Sequence, residues 1–242
     1  MTPSTSRPRR LDGLVLIAVA VQFSMTFSIL SAIFDYPQIL RRPAAEILQR
    51  VQAGGPLLLL TWYGFALAAV GLIPVVLLMR RALRDVDGQD RDIATALGLT
   101  GAGFQAIGLI RWVFAIPVLA AVYGDPTRSQ GVHDTAIVVF QALHQFAGVA
   151  VGETLGQVCT AAWVFLMALG QMRASRPLSV LGLASAALIV AGLPEELSTV
   201  IGFDPGPSAA ATPLGYLGLT LWILAAGVLM LRGRSASALA AA

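Results

Sequence analysis

The chain has 242 residues, of which 57% are hydrophobic and 12% are charged, and its formal net charge at pH 7 is +3. Soluble globular proteins carry about 25% charged residues, so this composition excludes an ordinary water-soluble domain and indicates that lipid is the main solvent. The small net charge and the lack of a basic stripe exclude a nucleic-acid-binding protein, and the absence of lysine excludes a lysine Schiff base.

Six apolar stretches predict six membrane-spanning helices and therefore an all-α fold. Each reaches the ~20 residues needed to cross a ~30 Å hydrocarbon core, in which a helix satisfies its own backbone hydrogen bonds. The predicted spans are approximately residues 11–34, 55–79, 94–122, 147–171, 178–201 and 213–232. Residues 1–10 and the Ala-rich residues 233–242 are then tails, the second of them disordered. The first span exceeds the ~7–15 apolar residues of a cleavable signal peptide, so we expect it to be retained.

A short amphipathic helix is predicted between the first two spans, over Pro43 to Gln52. Apolar Ile47 and Leu48 alternate there with charged Glu46 and Arg50, at the spacing of a helix with one apolar face. Such a helix suits the outer surface of a membrane.

The arginines predict the orientation of the spans. Cytoplasmic loops of membrane proteins are enriched in basic residues. With the N-terminus inside, eleven arginines lie on the cytoplasmic side, namely Arg7, Arg9, Arg10, Arg80, Arg81, Arg84, Arg91, Arg173, Arg176, Arg232 and Arg234. Four lie outside, namely Arg41, Arg42, Arg50 and Arg128. Both termini are therefore expected to be cytoplasmic.

Arg111 is the most informative polar residue because it lies within the third span. A charge at the centre of a membrane helix costs ~2.5–3.5 kcal/mol even on a lenient scale, so we expect Arg111 to lie within salt-bridge distance of a carboxylate on another helix. The candidates are Glu153, Glu195 and Glu196.

The depths of these charges predict one outward-facing polar cluster. At ~1.5 Å per residue, Arg111, Glu195 and Glu196 lie ~25 Å above the inner boundary, and Glu153 lies ~9 Å below the outer one. We expect this cluster to line an outer vestibule together with Asp35.

The fourth apolar segment is longer than one membrane crossing requires. We therefore expect residues 135–146, at its start, to form an extension on the outer side of the membrane. Helical spacing of four predicts two adjacent stripes along this segment. The polar stripe contains Gln141, Gln145, Glu153 and Gln157. The second stripe contains His144, Gly148, Gly152 and Gly156, whose glycines predict close approach of a neighbouring helix.

Three aromatic residues are expected near the outer membrane boundary. Tryptophan and tyrosine are enriched at membrane–water interfaces. Trp62, Tyr63 and Trp112 fall there, and we interpret them as belonging to an aromatic belt.

An enzyme is not favoured. The Glu195–Glu196 pair and the spacing of Phe140 and His144 partly match glutamate-type intramembrane proteases, but the order is reversed and a second membrane histidine is missing. Neither a bis-histidine haem site nor a Gly-x-Ser-x-Gly elbow is present. With a single cysteine, Cys159, a thiolate metal site is excluded as well. No catalytic residue or metal site is predicted, and the sequence leaves a cofactor open.

Three stretches carry a resemblance to a known family. FDYPQILRRPAAEIL follows the first span, GLIRWVFAIPVLAAVY lies in the third and FAGVAVGETLGQVCTAAW in the fourth. They resemble the bacterial six-span membrane family called domain of unknown function 4386, over about Gly13 to Met230. The resemblance implies a helical inner-membrane protein with no established activity. It also implies that recurrent motifs contain Asp35, Tyr36, Pro37, Arg111, Gly152 and Glu153.

The sequence thus predicts a multi-pass membrane protein that binds a small molecule or ion in an outward-facing polar pocket, in a transporter-like way. The candidate ligand-binding residues are Asp35, Tyr36, Arg111, His144, Glu153, Gln157, Glu195 and Glu196. The alternative is an accessory or structural protein whose buried charges only fix helix packing, and an intramembrane enzyme is third. The lipid bilayer is the one partner that the sequence identifies, and it leaves the oligomeric state open.

Overall fold

A computed structural model of the chain describes residues 10–82, 88–172 and 174–232. The described chain is almost entirely helical and contains no β-strand. Residues 1–9 and 233–242 of the predicted tails lie outside the described residues, as do residues 83–87 of the loop before the third span.

The described residues form eight α-helices. They are α1 Arg10–Phe34, α2 Ala44–Ala82, α3 Gly88–Phe114, α4 Ile116–Gly124, α5 Gln130–Leu143, α6 Gly156–Gln171, α7 Arg176–Ile201 and α8 Ser208–Leu231. A 3₁₀ helix, Gln38–Arg41, precedes α2, and a π-helical segment, His144–Leu155, joins α5 to α6.

The predicted all-α, six-span fold class is confirmed, because six helical stretches of the described chain are long and apolar enough to cross a membrane. They are Arg10–Phe34, Ala44–Arg81, Arg91–Gly124, Gln130–Gln171, Arg176–Ile201 and Ser208–Leu231. The protein is a multi-pass membrane protein.

The chain divides into two compact units, and four of the six stretches contribute to both. Unit 1 comprises the described parts of residues 1–21, 71–102 and 157–242, and unit 2 comprises residues 22–70 and 103–156. Each unit has its own hydrophobic core.

In unit 1, Trp163 and Trp222 pack edge to face with ring centroids 5.7 Å apart, and the Trp222 indole N–H donates to Gln171 Oε1 at 3.0 Å.

The core of unit 2 is built on a pair of stacked tryptophans. The rings of Trp62 and Trp112 are nearly parallel, with centroids 4.6 Å apart, and both residues are fully buried. The prediction that they belong to an interfacial belt is therefore wrong, since stacking against each other removes both rings from the surface. Tyr63, which points away from this core, is 42% exposed.

The segment after α1 folds back over unit 2. Asp35 has a left-handed backbone with φ 58°, and the 3₁₀ helix that follows buries Ile39. The predicted amphipathic helix is present as the first part of α2, with Ile47 and Leu48 buried. It ends at Gly55, whose φ of 59° and ψ of −160° interrupt the helix in a conformation that favours glycine.

The fourth stretch is π-helical in its centre. In a π-helix the backbone bonds span five residues instead of four, and such segments are rare and often occur at functional sites. Along the predicted polar stripe, Gln141 before this segment is exposed and Gln157 after it is buried.

The third stretch is interrupted between α3 and α4. Pro117 has no backbone N–H, so the Val113 carbonyl loses its normal helical partner. The interruption at Ala115 lies about one helical turn beyond Arg111.

The turn between α4 and α5 is organised by Asp125. Its carboxylate accepts hydrogen bonds from the Thr127 backbone N–H at 2.9 Å and hydroxyl at 2.6 Å, and from Arg128 Nε at 3.1 Å. The hydrogen bonds from Thr127, and that from Arg128, lower the pKa of Asp125 because they stabilise the ionised carboxylate.

Candidate functional site

A glycine-to-glycine contact sets the geometry of the candidate site in unit 2. A Cβ atom added to Gly108 on α3 would lie 2.7 Å from the Cα atom of Gly152 on the π-helical segment. A Cβ atom on Gly152 would lie 2.8 Å from the Gly108 Cα atom. The two backbones therefore touch, which is the close approach predicted from the glycine stripe.

Arg111 lies one turn beyond Gly108 and is 7% exposed. Its Nη1 atom donates to the Gly108 carbonyl, and its Nη2 atom lies 3.5 Å from His144 Nδ1. The guanidinium lies against Gly148, where an added Cβ atom would collide with it. Glycine at this position thus provides the space that the guanidinium occupies.

The Nε atom of Arg111 is buried and has no hydrogen-bond partner among the described residues. No carboxylate in the described part of the chain forms a salt bridge with Arg111, so the predicted direct ion pair is wrong. The guanidinium interacts electrostatically with Glu153 and Tyr36 instead.

Glu153 pairs with a residue that the sequence analysis did not select. Arg41 Nη2, at the end of the 3₁₀ helix, lies 3.8 Å from Glu153 Oε2. The side chains of Arg41 and Glu153 are 34% and 22% exposed, so this pair is nearer to the surface than Arg111. His144 interacts electrostatically with Arg111, Glu153 and Arg41. We call Arg41, Tyr36, Arg111, His144 and Glu153 the Arg111 group.

Tyr36 joins this group through the aromatic core. Its ring packs edge to face on Trp62, with centroids 5.3 Å apart. Asp35 belongs to a neighbouring surface network instead, because its carboxylate lies 3.5 Å from Arg42 Nη2. Arg42 also pairs with Glu46 at 3.5 Å, and Arg50 pairs with Glu46 at 3.4 Å.

The remaining candidate residues lie in unit 1. Gln157 on α6 donates from Nε2 to Glu196 Oε1 on α7 at 3.2 Å and accepts at Oε1 from the Thr212 hydroxyl on α8 at 3.4 Å. Glu196 and Gln157 are each 3% exposed, whereas Glu195 is half-buried. Adjacent residues on an α-helix point about 100° apart, and Glu196 is the acid that Gln157 contacts. A buried amide thus links three helices of this unit.

The contacts in unit 2 assemble the Arg111 group, and those in unit 1 join Gln157 to Glu196 and Thr212. Arg41 was not among the predicted candidates, because a loop arginine was assigned to the surface. Its position in FDYPQILRRP, between a left-handed Asp35 and a helix-starting Pro43, is the sequence signal that the chain turns back there.

The chemistry of the Arg111 group suits binding of a polar solute. It presents two guanidinium groups, a carboxylate, an imidazole and a phenol, which can hold an ion or a hydrogen-bonding molecule. Within the described residues no group of three or more His, Cys, Asp or Glu side chains could hold a metal ion.

Comparison with known proteins identifies a family. The family described as "Domain of unknown function (DUF4386)" matches residues 11–227. The chain matches no curated protein and no solved structure.

Proposed function

Since the chain belongs to the DUF4386 family, whose description assigns no activity, we propose a function from the Arg111 group: the protein binds a small molecule or ion there, in a transporter-like way. The observation that carries this proposal is the buried Arg111 Nε atom, which has no hydrogen-bond partner among the described residues. A buried polar atom without a partner costs about 1–3 kcal/mol. A ligand that accepts a hydrogen bond from this atom would recover that cost.

The composition of the group supports a binding role over a purely structural one. A guanidinium has five N–H donors in a planar fork, and one Arg111 donor goes to the Gly108 carbonyl while another faces His144. An arginine that only fixed helix packing would be expected to pair directly with a carboxylate. Here the carboxylate of Glu153 pairs with Arg41, and the Nε donor of Arg111 remains for a ligand.

In this proposal the candidate residues have different roles. Arg111 is the main ligand contact, His144 orients its guanidinium, and Glu153 with Arg41 forms the more exposed side of the site. Tyr36 and Asp35 border that side. Gln157, Glu195 and Glu196 lie in unit 1, where we propose that they contact solute or fix helix packing.

The structural alternative makes a different prediction for Arg111→Met. If Arg111 mainly binds a ligand, this variant is expected to keep its stability within about 1 kcal/mol, since a methionine of similar length replaces a charge that has no direct counter-ion. If the charges only hold helices together, breaking them costs ~3–5 kcal/mol.

The experiment measures melting temperature in detergent for the native chain and Arg111→Met, with sodium phosphate, sodium benzoate or tetramethylammonium chloride at equal ionic strength. We expect one of these solutes to stabilise the native chain. Its affinity for the variant is expected to be at least about a hundredfold lower, because the variant lacks a charged hydrogen bond worth ~3 kcal/mol. A sharp loss of stability in Arg111→Met, without a solute-dependent shift in the native chain, would favour the structural role.

The proposed site also has an orientation. With eleven arginines on one side and four on the other, we propose that both termini face the cytoplasm and that the Arg111 group opens to the outside of a bacterial cytoplasmic membrane. Asp35, Arg41 and Glu46 then belong to the outer surface.

Cysteine labelling tests this orientation. In a Cys159→Ser background, a membrane-impermeant thiol reagent applied to intact cells is expected to label Ser208→Cys but not Ser6→Cys or Gly88→Cys. Permeabilised cells are expected to label all three, which controls for reactivity. Labelling of Ser6→Cys or Gly88→Cys in intact cells would reverse the topology.

A further inference from the structure

We propose that a ligand which accepts a hydrogen bond from Arg111 makes His144 take up one proton, so that binding at the Arg111 group is coupled to pH. The inference rests on the proposed function and adds the regulation of that same site. The contact between Arg111 and His144 carries it, because only one of these two side chains can accept a hydrogen bond.

This contact defines the protonation state of the histidine in the free chain. Arg111 Nη2 lies 3.5 Å from His144 Nδ1. A guanidinium has N–H donors and no acceptor, so the Nδ1 atom has to accept in this contact. A protonated imidazole carries hydrogens on both ring nitrogens and accepts none. His144 is therefore neutral in the free chain, with its hydrogen on Nε2.

The donor of Arg111 that is left for a ligand lies beside the one that contacts His144. Nη1 donates to the Gly108 carbonyl, and Nε has no hydrogen-bond partner among the described residues. In a guanidinium the Nε–H bond is parallel to one Nη2–H bond, and carboxylates and phosphates bind such a pair of donors with two hydrogen bonds. A ligand bound in this way accepts from Nη2, the same nitrogen that contacts His144.

An acceptor oxygen at this edge changes which form of His144 is favoured. The oxygen and the neutral Nδ1 atom both present lone pairs to Nη2, and two acceptors repel each other. When Nδ1 takes up a proton it becomes a donor, and His144 then hydrogen-bonds to the ligand beside Arg111. The proton comes from water, the new N–H bond forms on the Nδ1 lone pair, and the charge of His144 rises by one.

Other groups near His144 have to be separated from it in any test. The charged groups that interact with it are Arg111 on α3, Glu153 on the π-helical segment and Arg41 at the end of the 3₁₀ helix. The rings of Phe140 and Trp112 also pack on it, with centroids 5.5 and 6.3 Å from that of the imidazole. Of these neighbours Glu153 is the one whose side chain can take up a proton near neutral pH.

The second histidine of the chain provides a matched control. The sequence contains two histidines, His133 and His144. His133 Nε2 lies 3.0 Å from the carbonyl oxygen of Asp125. Because a carbonyl is an acceptor, His133 donates from Nε2 in its neutral and in its protonated form and keeps this contact in both. A ligand on Arg111 is therefore expected to leave the protonation of His133 unchanged.

Isothermal titration calorimetry of the purified chain in detergent counts the protons. Sodium benzoate and sodium phosphate are the acceptor probes, and the observed enthalpy in buffers of different ionisation enthalpy gives the protons taken up per probe bound. For the native chain we expect about one proton more than for His144→Asn. Because binding takes up a proton, its affinity for benzoate is expected to rise as the pH falls from about 8 to about 6, by at most about tenfold per pH unit.

His144→Asn is the variant that removes the titrating group and keeps an acceptor. The amide oxygen of asparagine can accept from Arg111 Nη2 but does not titrate. We expect this variant to bind benzoate without proton uptake and with an affinity that does not change with pH. His133→Asn is expected to behave as the native chain. Proton uptake that persists in His144→Asn and is lost in Glu153→Gln would assign the proton to Glu153 and refute the proposal.

Nuclear magnetic resonance keeps the proposal testable if His144→Asn does not fold. The native chain labelled with nitrogen-15 in histidine gives ring signals from two imidazoles, and His133→Asn identifies which belong to His144. We expect His144 Nδ1 to carry no hydrogen in the free chain and to carry one with benzoate bound. A hydrogen on this atom in the free chain, or none on it with benzoate bound, would overturn the proposal.

The outcomes separate this inference from the proposed function. Binding of benzoate or phosphate that is lost in Arg111→Met, with equal proton uptake by the native chain and His144→Asn, would refute the coupling and leave the binding site in place. Binding of tetramethylammonium alone would do the same, because this cation cannot accept a hydrogen bond. If benzoate, phosphate and tetramethylammonium all fail to bind, the inference and the proposed function are both refuted.

Discussion

Replacing Gly108 with leucine is expected to lower the melting temperature of the purified chain by about 10 °C, because overpacking a tight contact costs ~3 kcal/mol and each kcal/mol moves the midpoint by a few degrees. A Cβ atom at this position would lie 2.7 Å from the Gly152 Cα atom. The atoms in contact belong to the two backbones, which cannot move aside as the end of a flexible side chain can. The π-helical segment must move away from α3, and therefore away from Arg111, whose guanidinium lies against Gly148 of that segment.

Gly103→Leu is the matched control on the same helix. A Cβ atom added to Gly103 meets nothing within 4 Å, and leucine is the better helix former by roughly 0.8 kcal/mol. This variant is expected to melt at or slightly above the native temperature. If Gly108→Leu and Gly103→Leu have the same melting temperature, the close approach of the two backbones is not a determinant of stability.

Trp112→Ala is expected to destabilise the protein by about 3–5 kcal/mol, the usual cost of deleting a buried aromatic side chain. Trp112 is 2% exposed and stacks on Trp62, and Phe34 and Phe140 pack against its edges. Its loss leaves a cavity in the core of unit 2 beside Arg111. Unfolding by thermal melt or denaturant in detergent measures the effect.

Phe114→Ala, two residues further along α3, controls for the loss of an aromatic ring. Phe114 is 68% exposed, so its truncation leaves no cavity and is expected to change stability by less than about 1 kcal/mol. A Trp112→Ala variant as stable as Phe114→Ala would mean that the stacked tryptophans are not the core of this unit.

The fold was predictable because its signal is spread over many residues. Six apolar stretches of about 20 residues or more leave little choice but helices across a membrane. The polar surroundings of Arg111 were predictable for a related reason, since a charge inside an apolar span is costly unless polar groups surround it. The glycines on its neighbouring segment predicted the contact with Gly108 correctly.

The partners of Arg111 depend on features that a regular helix pattern does not contain. The π-helical segment, whose backbone bonds span five residues, is one such feature. Arg41 reaches Glu153 because the chain turns back after Asp35 and forms a 3₁₀ helix. Trp62 and Trp112 pair with each other, and such a pairing between helices cannot be deduced from the depth of either residue.

The central claim is that a ligand contacts Arg111, and a high-resolution structure of the chain purified in native lipid tests it most directly. We predict non-protein density within hydrogen-bond distance of the Arg111 Nε atom, on the side that faces Arg41 and Glu153. We also predict that this density is absent from the Arg111→Met variant prepared in the same way. A structure in which protein atoms alone satisfy every N–H group of Arg111, with no additional density beside it, would contradict the account.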